Sequence, residues 1–148
     1  MLNKVTVKIK KLFPEAKLPV DGSAQAAGAD LYALADHKIR IGPNETAIVH
    51  TGLAAEIPEG FVGLIYARSG LATKKGLAPA NKVGVIDSDY RGEFRVALHN
   101  DSKYEQCIEP YDRIAQLVIA PYVFADFEES DELNDTDRGV GGFGSTGK

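Results

Sequence analysis

Apolar and polar residues alternate with a period of two along much of the chain. Val5, Val7 and Ile9 interleave with Thr6, Lys8 and Lys10, as in a strand with one buried face. Ile39 and Ile41 repeat the pattern on a smaller scale before a turn at Gly42-Pro43-Asn44-Glu45. Ala47-Ile48-Val49 and Phe61 to Tyr66 are short apolar runs, punctuated by Pro58-Glu59-Gly60. Phe94, Val96 and Leu98 alternate with polar neighbours, and Ile114 to Ile119 form an apolar run that holds Gln116 and ends at Pro121. Only Ser69 to Lys75 reads as helix, with Ser69 able to cap its first turn and Gly76 able to end it. Short strands separated by Gly, Pro, Asn and Asp turns predict an all-β sandwich, jelly roll or barrel.

The pattern stops near Glu128. From there the chain is acidic, then rich in glycine: five of its 15 glycines fall in the last 14 residues. This segment has too little apolar periodicity to fold alone and is expected to be mobile until something orders it. The 148 residues suit one domain. A formal net charge of -4 disfavours a grip on a nucleic-acid backbone. No apolar run is long enough to span a membrane. The opening Met1-Leu2-Asn3-Lys4 lacks an apolar leader, and a lone Cys107 fits a reducing compartment, so a cytoplasmic location is expected. On that basis the sequons at Asn44, Asn100 and Asn134 are chance matches.

Several motifs fail on their context. Gly139 to Gly144 matches Gly-x-Gly-x-x-Gly, but a dinucleotide fingerprint needs a helix after it and an acid ~20 positions on. Gly142 to Lys148 begins a phosphate loop without the Ser or Thr that should follow the lysine. His37, His50 and His99 have no metal-ligand spacing, and Cys107 has no evident base partner.

Four segments carry chemistry. Gly84 to Glu93 reads as a strand entering a polar turn and returning through Phe94-Arg95-Val96, a hairpin with Asp87, Asp89 and Tyr90 near its tip. It can be a solvated turn or the edge of a site. Ala67-Arg68-Ser69-Gly70 joins a guanidinium and a hydroxyl to a helix N-terminus, which is either a phosphate site or an ordinary capped helix. Asp30 and Gln116 are lone polar residues in apolar strands, and each can serve only to satisfy neighbouring backbone.

Taken in order, Ala27-Gly28-Ala29-Asp30-Leu31, Ala67 to Leu71, Gly84 to Gly92, Arg113 to Leu117 and Arg138 to Gly147 resemble the five motifs of the trimeric dUTP diphosphatase (dUTPase) family. Ala67 stands where many members have Pro. The resemblance implies a distorted jelly-roll β-barrel with one short helix over residues 1–127. Residues 128–148 would be a flexible arm that closes over a neighbouring subunit's active site. It implies a homotrimer with shared sites, no polynucleotide or membrane partner, and Mg²⁺-dependent hydrolysis of dUTP to dUMP and pyrophosphate. Such a reaction limits uracil incorporation into DNA and supplies dUMP for thymidylate synthesis.

The resemblance also implies roles. Asp87 matches the general base that activates a water for attack on the α-phosphorus. Tyr90 matches a tyrosine packed under the deoxyribose, leaving no room for a 2′-hydroxyl. Asn81 lines the nucleoside pocket, and the backbone of Gly84, Val85 and Ile86 reads uracil. Arg68, Ser69, Gly70 and Gln116 hold phosphates, and Asp30 holds Mg²⁺ through water. In the arm, Arg138 and the Gly144-Ser145-Thr146 run contact the γ-phosphate, while Phe143 stacks on the base. A deaminase acting on dCTP shares the fold, but the Asp87 turn and the complete arm favour hydrolysis. A non-catalytic nucleotide binder is disfavoured by the intact Asp87.

Overall fold

The computed structural model describes residues 4–144. In chain order the elements are β1 (Lys8–Lys11), β2 (Val20–Asp21), β3 (Gly28–Tyr32), β4 (Ile39–Ile41), β5 (Thr46–His50), β6 (Leu53–Glu56), β7 (Phe61–Tyr66), α1 (Ser69–Lys75), β8 (Leu77–Pro79), β9 (Val83–Ile86), β10 (Arg95–Asn100), β11 (Gln106–Ile108) and β12 (Arg113–Pro121). The strands form a five-stranded sheet in the order β2-β3-β12-β7-β9, a three-stranded sheet β5-β10-β8, and the pairs β1-β6 and β11-β4. Every pairing among the described residues is antiparallel. The result is a jelly-roll-like β fold with one short helix, as the family resemblance implies and as one of the all-β architectures that the alternation leaves open.

The sheets enclose one apolar interior. Leu31, Ile41, Val49, Leu53, Leu98 and Ile114 are all fully buried within it. In β10 the residues alternate as the sequence does, with Val96, Leu98 and Asn100 facing inward. Asn100 is the exception in kind. Its amide nitrogen donates to the Ile41 and Tyr104 carbonyls, at 2.9 and 2.8 Å, and its oxygen accepts the Ser102 N–H at 2.9 Å. A fully buried amide with these three bonds closes a corner of the barrel and is no glycosylation acceptor.

Two local expectations are corrected. The first strand begins at Lys8, not Val5, and Val5 is exposed. Its partner β6 ends at Glu56, level with Lys8, and Ile57-Pro58 follows; Pro58 has no N–H to continue the ladder. The helix spans Ser69–Lys75 as expected, but Ser69 is its first residue rather than its cap. Arg68 holds the cap position with extended backbone, and its carbonyl accepts the first intrahelical bond from Ala72 at 3.0 Å. At the other end Gly76 is left-handed (φ 66°), and a Cβ there would lie 3.0 Å from the Ser102 backbone nitrogen. Glycine therefore suits the stop on both counts.

After Pro121 no strand or helix follows among the described residues. The Tyr122 N–H still bonds the Gly60 carbonyl at 3.1 Å, whereas among the described residues the hydrogen bonds of residues 123–144 are all within that segment. Phe124, Phe127, Leu133, Val140 and Phe143 are almost wholly exposed there.

Candidate active site

The predicted residues gather in two places. The first is the middle of the five-stranded sheet. Asp30 on β3 lies directly opposite Gln116 on β12. Its Oδ1 accepts from Arg68 Nε at 2.8 Å, and its Oδ2 lies 3.4 Å from Arg113 Nη1. The Asp30 side chain is only 13% exposed, so two guanidinium groups compensate one nearly buried carboxylate. Holding Arg68 by Nε fixes the plane of its guanidinium. Its terminal nitrogens make no hydrogen bond among the described residues, which leaves them free for an oxyanion.

Gln116 is oriented from two sides. Its amide donates to the Ala67 carbonyl at 2.9 Å, and a Cβ on Gly28 would stand 2.6 Å from its Oε1. Gly28 thus leaves the space in which the carboxamide lies. Ser69 and Gly70 open α1 beside this cluster, where the first helical amides have no intrahelical partner. Arg113 and Gly28 have positioning roles that no spacing in the sequence announces. Arg113 is 83 residues from Asp30 and meets it only through the β3–β12 pairing.

The second place is the free edge of the same sheet. Asn81, Gly84, Val85, Ile86, Asp87 and Tyr90 line one pocket of ≈ 380 Å³, closed on its far side by Ile48, Phe94 and Ala97 of the three-stranded sheet and its approach. The segment from Gly84 to Glu93 is not a hairpin. β9 pairs with β7, and β10 pairs with β5 and β8, so the chain crosses between sheets and opens a cleft. Turn-forming residues signal a reversal but not the partner of the returning strand, so the sequence pattern suggests a hairpin where the chain changes sheets. The Tyr90 N–H bonds the Asp87 carbonyl at 3.1 Å, and Arg91 Nη1 donates to the Ser88 carbonyl at 2.6 Å, which together shape the turn. As an edge strand, β9 presents unpaired N–H and C=O groups to the pocket side. Asn81 sits in the β8–β9 turn, held by Lys82 N–H to the Pro79 carbonyl at 3.0 Å. The Asp87 carboxylate is exposed and has no hydrogen-bond partner among the described residues. A wider, shallower depression of ≈ 950 Å³, lined by Val62, Leu64, Tyr122 and Phe124, shares only Val85 and Asp87 with this pocket, so Asp87 stands on the rim of both.

The two places lie apart within the chain. Asp30, Gln116, Tyr66 and Val83 lie level across adjacent strands. Three strand spacings and four residues along β9 separate Asp30 from Asp87, a distance of about 20 Å. Arg68 follows the end of β7 at Tyr66, whereas Asp87 follows Ile86, which pairs with Gly63 near the other end. In the arm, the Arg138 guanidinium folds back on the Gly141 carbonyl at 2.7 Å, and Phe143 has a positive φ of 54° and points into solvent. Gly144 is also left-handed, while Ser145 and Thr146 lie outside the described residues.

No cluster of three or more His, Cys, Asp or Glu side chains occurs among the described residues. Asp30 is a single carboxylate already facing two arginines, which cannot build an inner cage but fits a Mg²⁺ ion that keeps its waters. No helix among the described residues is long and apolar enough to cross a membrane.

Comparison with known proteins gives one answer. A family profile described as dUTPase matches residues 14–147. A deoxyuridine 5′-triphosphate nucleotidohydrolase of Nautilia profundicola is 51% identical over 142 residues, covering 96% of this chain and 99% of its own. The enzyme of the same name from Syntrophotalea carbinolica is 46% identical over 143 residues, with 97% of each chain covered. Among solved structures, a point mutant of the Staphylococcus bacteriophage 80alpha dUTPase with dUpNHpp superposes with a TM-score of 0.88. It is 29% identical and covers 98% of this chain and 100% of its own. A mutant dUTPase from phage phi11 of S. aureus, described for its coordination of a structural Mg(II) ion, has a TM-score of 0.79 at 25% identity, with 88% and 100% covered.

Proposed function

The chain belongs to the dUTPase family, and from that premise we propose that it hydrolyses dUTP to dUMP and pyrophosphate at sites shared among the subunits of a homotrimer. One observation carries the sharing. The strand register sets Asp30, which holds Arg68, three strands and four residues away from Asp87, about 20 Å by standard strand spacing. A general base must come within hydrogen-bond reach of the attacking water, so Asp87 and Arg68 can serve one triphosphate only when two copies meet. The ≈ 950 Å³ depression beside Asp87, lined by apolar residues such as Val62 and Leu64 and by charged ones such as Glu56, Glu59 and Arg91, supports the place of that meeting.

In this reading the exposed edge of β9, from Gly84 to Ile86, recognises uracil through backbone N–H and C=O groups. These cannot exchange donor and acceptor roles, so cytosine leaves buried groups unpaired, a penalty of about 1–3 kcal/mol each. Asn81 borders the base, and the Tyr90 ring fills the space beside C2′. Asp87 accepts a proton from a water whose oxygen attacks the α-phosphorus; the bond to the bridging oxygen breaks and pyrophosphate leaves. Arg68, Gln116 and the amides of Ser69 and Gly70 hold the phosphate oxygens of the neighbouring pocket's substrate. Asp30 would hold Mg²⁺ through its waters, and the ion supplies neutralisation of the triphosphate charge. Residues 1–127 form the barrel unit and residues 128–148 the arm. Arg138, Gly144, Ser145 and Thr146 reach the γ-phosphate, and Phe143 stacks on the base. Positioning and charge neutralisation then supply most of the acceleration.

The test is pyrophosphate release from dUTP, UTP, dTTP and dCTP with and without Mg²⁺, together with the mass of the native assembly by ultracentrifugation. Turnover confined to dUTP, stimulated by Mg²⁺, in a particle of three chains is expected. Ammonia released from dCTP, or a fully active monomer, overturns the reading.

A further inference from the structure

Tyr90 is held by two neighbours that take no part in the chemistry described above. A Cβ placed on Gly92 would stand 2.4 Å from the phenolic oxygen, 2.5 Å from Cζ and 2.9 Å from Cε2. The ring therefore fills the space over Gly92, and any side chain at position 92 must push it away. Gly92 is not among the positive-φ glycines, so the ring is the obstacle to alanine there, not the backbone.

The phenolic hydroxyl donates to the Glu93 carbonyl at 3.0 Å. Glu93 is anchored in turn. Its Oε1 accepts the Gly52 N–H at 2.9 Å, and its Oε2 lies 2.8 Å from His50 Nδ1. Its side chain is only 17% exposed. The next residue, Phe94, is buried, and its N–H bonds the Leu53 carbonyl at 2.7 Å. The acceptor for the tyrosine hydroxyl thus belongs to the barrel wall and not to the exposed turn.

We propose that Gly92 and Glu93 are positioning residues that set the place of the Tyr90 ring, and through it how strictly the pocket rejects a 2′-hydroxyl. Gly92 acts by leaving room and Glu93 by fixing the hydrogen-bond acceptor. The inference rests on the proposed dUTP chemistry and adds to it the determinants of sugar discrimination. Glu93→Gln keeps both anchors, because an amide oxygen can accept from Gly52 and an amide nitrogen can donate to His50. Glu93→Ala keeps neither.

The experiment measures kcat and KM for dUTP and UTP in the wild type, G92A, E93A and E93Q. It also follows the Tyr90 ring carbons by NMR in nucleotide-free protein, assigned with Y90F. A misplacement near 1 Å can cost about 10²-fold, so G92A and E93A are expected to lower the dUTP-to-UTP ratio of kcat/KM by about tenfold or more. The loss falls mainly in KM for dUTP, and the Tyr90 resonances shift. E93Q restores the ratio that E93A loses. Combining Y90F with E93A lowers the ratio by less than the product of the two single effects, because both break one link. If E93A fails to fold, G92A and E93Q carry the test. An unchanged ratio in G92A, or Tyr90 resonances that stay in place, overturns the positioning. Wild-type protein that releases no pyrophosphate from dUTP overturns the function itself.

Discussion

The two halves of the proposed site are built in opposite ways. The phosphate half sits in the middle of the five-stranded sheet, where the Asp30 carboxylate holds Arg68 and Arg113 and the Gln116 amide donates to the Ala67 carbonyl. The nucleoside half sits at the sheet's free edge, where the proposal gives the reading to the backbone of β9 and the Asp87 carboxylate has no hydrogen-bond partner among the described residues. The difference follows from the two tasks. A charged clamp must point in one direction in the absence of substrate, which takes a counter-charge behind it. A base pair-like edge is already fixed by the strand that carries it, and a proton acceptor must keep its lone pairs for water.

The largest effect should come from the unpartnered group. Asp87→Asn is expected to lower kcat by about 10²–10⁴-fold while dUpNHpp still binds, read by pyrophosphate release and calorimetry. Near-normal turnover would remove Asp87 from its role. Deleting Arg138 to Lys148 is expected to lower kcat/KM by about 10²-fold, as loss of positioning does, with the native mass of the trimer unchanged in sedimentation. Dissociation of the assembly would contradict an arm that closes only over substrate.

Mixing addresses the comparison itself. Asp87→Asn and Arg68→Ala chains, each inactive, are unfolded and refolded together. If every site takes Asp87 from one subunit and Arg68 from another, roughly a quarter of sites in a random equal mixture carry both intact groups. No recovery would place the two halves in one chain. A smaller effect is expected from Asp30→Ala, which strands two guanidinium groups. Because the Arg113 side chain is 54% exposed, the loss should fall below the buried-pair range, near about 2 kcal/mol, measured by urea unfolding. The smallest belongs to Gly28→Ala. It displaces the Gln116 carboxamide and should raise KM for dUTP a few-fold with kcat little changed.

Legibility in the sequence divides along the same line. β4 and β7 begin and end where the apolar pattern does, whereas the short strands β6, β8 and β11 carry too few residues for an alternation to show. The single helix was readable because Gly76 marks its end. Asp87 and Tyr90 stood out because acids, tyrosine and glycine crowd one turn. What the pattern could not give was pairing. Nothing local reveals that β9 and β10 lie in different sheets, or that Arg113 reaches Asp30. Gly28 and Gly92 look like ordinary turn or strand glycines until the side chains lying over them are known. The family resemblance named Gln116 and Asp30, but the reason Gln116 points as it does lies in the Ala67 carbonyl and in the absence of a side chain at position 28.

The segment after Tyr122 has a kinetic consequence. Residues 123–144 hydrogen-bond only among themselves in the described part of the chain, so their departure from any surface breaks no bond to their own barrel. In the proposed reaction, the nucleotide contributes to their hold. While the triphosphate is whole, one ligand ties Phe143 at the base to Arg138 at the far phosphate. Cleavage divides that tether into two separate anions, and each is then held by fewer groups than the intact chain was. The latch would thus be released by the bond that the enzyme breaks, with no separate signal for opening.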